Sequence, residues 1–243
     1  MKSENLKSGL DQLMIPYDEE LIGSFQVYHQ LLESWNNNMN LTSVTAWDMA
    51  VSRHYLDSAS LVMSEQFSNV CHRVGTSLID IGTGPGLPGI VLKLLFPELR
   101  ITLLEASAKK SVFLKEVCDV LSLTDIAIVS ERAEIQAHVE GYRESFDLVV
   151  SRAVAKLNVL AEYCLPLSSI GGNMIAMKGR RVDKELTEAK SAVKKLGGEI
   201  TEVVNCSTKI SGMEGRLVVI KKVKSTPDFY PRRAGVPKKR PIT

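Results

Sequence analysis

The chain has 243 residues, 44% hydrophobic and 24% charged, with 16 glycines and 9 prolines. That is the composition of an ordinary globular protein with room for one full domain plus appendages, and it excludes collagenous, disulfide-stapled and wholly disordered chains. Net charge is only +2, but from Lys221 onward there are eight Lys and Arg against a single acid, Asp228. A mildly acidic body with a basic tail points to a large anionic partner or, equally on composition, to a solvated tail that aids solubility.

The longest apolar run, Leu87 to Phe96, is interrupted by Lys93 and falls well short of the roughly 20 residues that span a bilayer. The segment Met1-Lys2-Ser3-Glu4-Asn5 lacks the apolar core of a secretory signal. Cys71, Cys118, Cys164 and Cys206 show no paired spacing. They read as reduced, mostly buried thiols of a cytoplasmic protein, with no metal site and no membrane contact.

The first 70 residues read as a helical cap. Leu21, Ile22, Phe25, Tyr28, Leu31 and Leu32 recur at helical spacing over Glu19 to Trp35, and Asn36-Asn37-Asn38 is expected to end that helix. A second helical stretch runs through Met49, Ala50, Tyr55, Leu56 and Leu61. From Thr76 the pattern alternates. Strands are predicted at Ser77–Ile81, Arg100–Leu104, Ile126–Val129, Phe146–Val150 and Asn173–Met177. Helices are predicted at Gly89–Leu95, Lys109–Leu121, Leu157–Leu165 and Asp183–Leu196. Glu199–Asn205 and Gly215–Lys221 have no helix between them and read as an antiparallel pair. The implied fold is α/β, Rossmann-like, with a mostly parallel sheet and an antiparallel carboxyl-terminal hairpin. The expected division is a cap (1–70), a core (71–224) and a basic tail (225–243) that is extended or flexible, all within one structural domain.

The most informative stretch is Asp80-Ile81-Gly82-Thr83-Gly84-Pro85-Gly86-Leu87-Pro88-Gly89, which follows a strand and opens a helix. Gly82, Gly84 and Gly86 permit positive φ and close approach of backbone to a ligand at the carboxyl end of the first strand. Gly84 to Gly89 also matches the dinucleotide fingerprint, with Glu105 about 20 residues on, so an NAD(P)-binding oxidoreductase stays open. Asp80 favours another ligand, because a carboxylate beside the first glycine repels a pyrophosphate and suits a sulfonium and an ammonium group. S-adenosylmethionine carries both, and Glu105 at the end of the second strand is placed to hold its ribose. A non-catalytic RNA-binding protein on the same fold is the other alternative.

Enzymes that methylate exocyclic amines carry an Asp/Asn-Pro-Pro-aromatic loop after the fourth strand, where this chain has Ser151-Arg152-Ala153-Val154. Pyrimidine C5 chemistry needs a cysteine at the site, and Cys118 and Cys164 fall inside predicted helices. A nucleophile with a free lone pair remains. Guanine N7 is such an acceptor and needs no general base.

Asn40-Leu41-Thr42-Ser43-Val44, Arg53-His54-Tyr55-Leu56-Asp57-Ser58, the glycine loop, Ser151-Arg152-Ala153 and Met177-Lys178-Gly179 occur in this order. Together they resemble the bacterial 16S rRNA guanine-N7 methyltransferases, the glucose-inhibited division protein B family, over roughly residues 5 to 222. The basic segment from Tyr230 to Pro241 resembles the tail of longer members. The resemblance implies a cytoplasmic, S-adenosylmethionine-dependent enzyme, acting as a monomer on N7 of one guanosine, position 527, of 16S rRNA in the small ribosomal subunit or an assembly intermediate. Carried onto matching positions, cofactor contacts fall on Gly82, Leu87, Ala133, Glu134 and Arg152, beside Asp80, Gly84, Gly86 and Glu105 from the residue-level reading. The residues expected to position the base and its phosphates are His54, Lys109, Arg132, Arg152 and Lys178. Glu105 stands where many relatives have Asp. The tail is expected to add a salt-dependent, sequence-independent contribution to RNA affinity.

Overall fold

Five apolar runs separated by helices pair in parallel, and two more close the sheet as a hairpin. The computed structural model describes residues 3–207 and 214–243. Its strands are β1 (Ser77–Ile81), β2 (Arg100–Leu104), β3 (Ile126–Val129), β4 (Phe146–Arg152), β5 (Ser168–Gly179), β6 (Gly198–Ser207) and β7 (Glu214–Lys222). They lie in the order β3-β2-β1-β4-β5-β7-β6. β1 pairs in parallel with β2 and with β4, while β7 runs antiparallel between β5 and β6. The chain therefore leaves β1 towards both sides of the sheet, and that switch opens a crevice at the strands' carboxyl ends.

Strand side chains alternate between two cores. Leu78, Leu148, Val150 and Ile175 face one layer. Ile79, Val149, Met174 and Ala176 face the other. The first layer contains the amino-terminal cap: α1 (Glu4–Gln12), α2 (Glu19–Met39), α3 (Trp47–Ala50), a π-helical turn over Val51–Leu56, α4 (Asp57–Ala59), a 3-10 turn over Ser60–Met63 and α5 (Glu65–Ser68). α6 (Gly89–Leu95) and α7 (Ala108–Val120) complete that layer. α8 (Ala133–Gln136), α9 (Leu157–Cys164) and α10 (Asp183–Lys195) cover the opposite face, and α11 (Val236–Lys239) lies in the tail.

Two expectations about the cap change. The asparagines do not end α2 at Asn36. The helix continues to Met39 and stops at Asn40, which adopts the left-handed conformation at φ 48° and donates its amide to the Asn36 carbonyl. The Asn36 side chain accepts a hydrogen bond from Thr42 N (2.8 Å), so the asparagines cap the helix rather than interrupt it. The second helical stretch breaks into α3, the π turn and α4.

The tail is neither extended nor loose. Tyr230 and Ile242 are buried in the second core. Arg143 donates to the carbonyls of Thr226 and Tyr230, each at 2.9 Å. Arg232 grips Glu162 with its backbone amide (2.8 Å), Nε (2.9 Å) and Nη2 (2.6 Å), and Glu162 has no exposed side-chain surface. Removing one member of a buried pair strands the other's charge in a low-dielectric interior. Arg232→Ala is expected to lower unfolding free energy by about 3 kcal/mol, read from the urea midpoint. An unchanged midpoint would remove Arg232 as the tail's anchor.

Candidate active site at the mouth of the sheet

The glycine loop is held from beneath by two carboxylates. Asp80, wholly buried in β1, accepts hydrogen bonds through Oδ2 from Thr83 Oγ1 (2.5 Å) and Gly89 N (2.8 Å), tying the loop's start to the first amide of α6. Its Oδ1 is buried without a partner. Burial pushes the carboxyl up to about 6, against the pull of those two donors and of Arg152. Glu105, just past β2, accepts from Gly84 N through Oε2 (2.9 Å) and from Ser107 N through Oε1 (2.8 Å).

The glycines serve separate purposes. Gly86 has φ +99°, and a Cβ there would stand 2.3 Å from Ile90 Cγ1, so this position is set by packing of the loop on α6. Gly84 has φ +60°, yet a Cβ there would meet only the Gly82 carbonyl at 4.0 Å. Its demand is conformational: the residue is buried with its amide on Glu105, and it leaves a gap that no side chain fills. Tyr28 of α2, fully buried, donates its hydroxyl to the Pro85 carbonyl at 2.7 Å. The cap thereby clamps the loop from above.

Beside the loop, over β4 and β5, lies a cleft of about 650 Å³ whose lining includes Arg53, His54, Asp57, Arg152, Lys178 and Glu185. Arg152, the last residue of β4, donates through Nη1 to Asp57 Oδ2 (2.9 Å) and to the Arg53 carbonyl (2.8 Å), which the π turn presents. Burial raises the Asp57 carboxyl and Arg152 opposes that shift. Lys178 pairs with Glu185 Oε2 at 2.7 Å and donates to the Ala155 carbonyl at 2.9 Å. The same Glu185 oxygen accepts from Leu157 N, the first amide of α9 (2.8 Å). His54 Nε2 lies 3.0 Å from Thr42 Oγ1. Burial, reinforced by the charge of Arg152, pushes His54 down to about 4, so its imidazole is neutral at pH 7.

Of the five positioning residues expected, the structure brings His54, Arg152 and Lys178 together in one cleft. Lys109, in the first turn of α7, and Arg132, before α8, are exposed and lie outside its lining. Ala133 and Glu134 open α8, where the Glu134 carboxylate accepts from Gly235 N of the tail (2.8 Å). Leu87 is buried in the first core. The four cysteines are free and buried, and burial holds the Cys164 thiol well above its ordinary value. Cys164 is therefore not a nucleophile for this cleft. Asp57, Glu185, Thr42 and Tyr28 were missed as site residues. Asp57 carried a signal, since it stands four residues after Arg53 in a helical stretch, whereas Tyr28 reads from sequence as core.

Tyr28→Phe keeps the ring and removes the loop's clamp. The expected loss is about 1 kcal/mol of unfolding free energy in a urea titration, since the Pro85 carbonyl loses its donor. A loss below the error of the titration would show that the clamp does not hold the loop.

The GidB family model, described as rRNA small subunit methyltransferase G, matches residues 21–214. A ribosomal RNA small subunit methyltransferase G of Pelotomaculum thermopropionicum is 40% identical, over 99% of this chain and 98% of its own length. Its namesake in Lachnoclostridium phytofermentans is 43% identical, over 96% and 95%. Among solved structures, a mutant of MtNAS in complex with S-adenosylmethionine superposes with TM-score 0.54 at 16% identity, over 83% of this chain and 75% of that one. A ribosomal-protein methylase from Lactobacillus delbrueckii subsp. bulgaricus gives 0.51 at 16%, over 69% and 79%. These two likenesses show the Rossmann-like fold. By the family model and its near-full-length relatives, the chain belongs to the GidB family, rRNA small subunit methyltransferase G.

Proposed function

We propose that this chain transfers the methyl group of S-adenosylmethionine to N7 of one guanosine of 16S rRNA, the nucleotide at position 527, in the small subunit or an assembly intermediate. It does so in the cytoplasm and as a monomer. The observation that carries the reading is Asp80, whose Oδ1 is buried and unpartnered beneath a glycine loop in which no side chain fills the space at Gly84. That donor set fits a cationic ligand. A pyrophosphate would meet two carboxylates, Asp80 and Glu105, instead of free amides, which disfavours the oxidoreductase.

In this reading the loop from Gly82 to Leu87 receives the methionyl part, Glu105 the ribose, and Ala133 with Glu134 the adenine side. When bound, the cofactor supplies a methyl group already activated by the sulfonium. The chain's task is orientation and exclusion of water. N7 attacks with its own lone pair, so no residue removes a proton, and the neutral His54 is not needed as a base. The base gains positive charge during transfer. Unpaired cations beside N7 would oppose that change. Arg152 and Lys178 are each bound to a carboxylate, Asp57 and Glu185, so they offer directed N–H donors to O6 or phosphate without adding net charge. Among the described residues, no helix is long and apolar enough to cross a membrane.

Guanosine methylated at N7 makes RNA cleavable by borohydride and aniline. Scission of 16S rRNA at one guanosine is expected from cells carrying the gene and not from cells lacking it. Arg152→Ala should lower kcat/KM for methyl transfer by about a hundredfold, the scale of a misplaced substrate. Scission unaffected by loss of the gene would reject the function. A second expectation concerns pH. The Asp80 carboxyl sits above its ordinary 3.8, so its contribution to stability is present at low pH and is lost as pH rises through about 6. The ionised form prefers a cation, so S-adenosylmethionine affinity should rise between pH 5 and pH 7. Calorimetric titration should show that rise in the wild type and a flat profile in Asp80→Asn. Parallel profiles would take Asp80 out of cofactor binding.

A further inference from the structure

The tail's cations divide into one that is buried against a partner and four that are not. Arg232 is committed to Glu162. Arg233, Lys238, Lys239 and Arg240 are exposed and form no ion pair among the described residues. The backbone beneath them is fixed at both ends. Gly235 N donates to Glu134 Oε1 (2.8 Å), which sets the tail alongside Arg132, two residues before Glu134 and itself exposed. Farther on, Asn158 Nδ2 donates to the Ile242 carbonyl (3.4 Å), bringing the chain's end to the first turn of α9. The neighbouring amide of that turn, Leu157 N, shares Glu185 with Lys178 of the cleft.

Of the acids along this path, Glu134 and Glu162 face inward and are occupied by the tail itself, while the exposed Asp228 pairs with Arg143. The strap thus buries its counter-charges and turns a row of positive side chains outward. The row begins beside Arg132, and the chain beyond it ends on the first turn of α9, whose Leu157 amide shares Glu185 with Lys178 of the cleft. A flexible basic arm would have to lose conformational freedom on meeting RNA, whereas a held one has lost it already.

We propose that Arg233, Lys238, Lys239 and Arg240, held in place by the Glu162–Arg232 pair, form a pre-organised phosphate-binding strip. The strip seats the RNA backbone flanking the methylated nucleotide, apart from the base-holding cleft. This rests on the reading of the chain as an rRNA methyltransferase. The strip differs from a solubilising tail because its backbone is held at Gly235 and Ile242 and its four cations form no ion pair among the described residues. RNA backbone is the partner because the chain that carries the strip ends on α9, one hydrogen-bonded step from the Glu185–Lys178 pair of the cleft.

The test is the quadruple variant R233Q/K238Q/K239Q/R240Q in the full chain, assayed with a 16S rRNA fragment spanning the target and with S-adenosylhomocysteine. Each phosphate contact contributes roughly 0.7–0.9 to the slope of log affinity against log salt, so four lost contacts flatten it by about 3. Between 50 and 200 mM potassium chloride the variant should therefore lose about fiftyfold less affinity than the wild type. S-adenosylhomocysteine affinity and the thermal midpoint should not move, because none of the four side chains is paired or buried. A second variant, E162Q/R232Q, keeps all four cations and releases the pin. It should bind the fragment more weakly than the wild type at every salt concentration. An unchanged slope in the quadruple variant overturns the strip, and full affinity in the double variant overturns its pre-organisation. Sedimentation with phosphatidylglycerol vesicles that is lost in the quadruple variant while RNA binding persists would assign the strip to a membrane and also reject the proposal. A wild type that fails to methylate the fragment while keeping its salt-dependent binding would count against the proposed function and leave the strip standing.

Discussion

One buried carboxylate organises the site. Asp80 reaches from the carboxyl end of β1 to bond both Thr83 and Gly89, which ties the loop between them to the end of the strand and to the start of α6. Burying a charge in this way costs stability unless its oxygens are satisfied, and only one of the two is. We read a group left in that condition, beneath a loop of three positive-φ glycines, as arranged for a ligand rather than for the fold. Glu105 repeats the device one strand over, with both oxygens bound to backbone amides at the loop's edge.

Around this centre the two layers of the molecule have different duties. The cap supplies Tyr28 to the loop and the π turn to the cleft, so its helices brace both. The opposite layer supplies Glu185, which holds Lys178 and the first amide of α9 with a single oxygen. In both cases a carboxylate fixes a cation at the mouth. The result suits a reaction in which positive charge passes onto the substrate. Directed donors are kept, and their net charge is cancelled by neighbours that do not move.

The core of the fold was legible because its signals are local. An apolar strand running into Gly-Thr-Gly-Pro-Gly and then into a helix needs no distant partner to be read, and β1 and β4 are short apolar runs buried between the two cores. The terminal hairpin was legible from the missing helix between two strand-like runs. What stayed hidden depends on distant partners. Arg152 and Asp57 are 95 residues apart in sequence, and Tyr28 and Pro85 are 57 apart. The tail misled for the same reason. Its proline and basic content reads as loose chain, but a buried acid 70 residues away in α9 holds Arg232 and orders the segment around it. The asparagine run misled differently. Its side chains were expected to compete with the helix, and they cap it instead.

The central claim is that the loop between β1 and α6, with Asp80 beneath it and Glu105 beside it, receives a sulfonium nucleoside. A crystal structure of the protein soaked with S-adenosylhomocysteine tests this most directly. The account predicts ribose hydroxyls within hydrogen-bond distance of the Glu105 carboxylate and the amino-acid portion against Gly82 and Gly84. An adenosine found over β5 and β7, or a loop untouched by the ligand at saturating concentration, would contradict it.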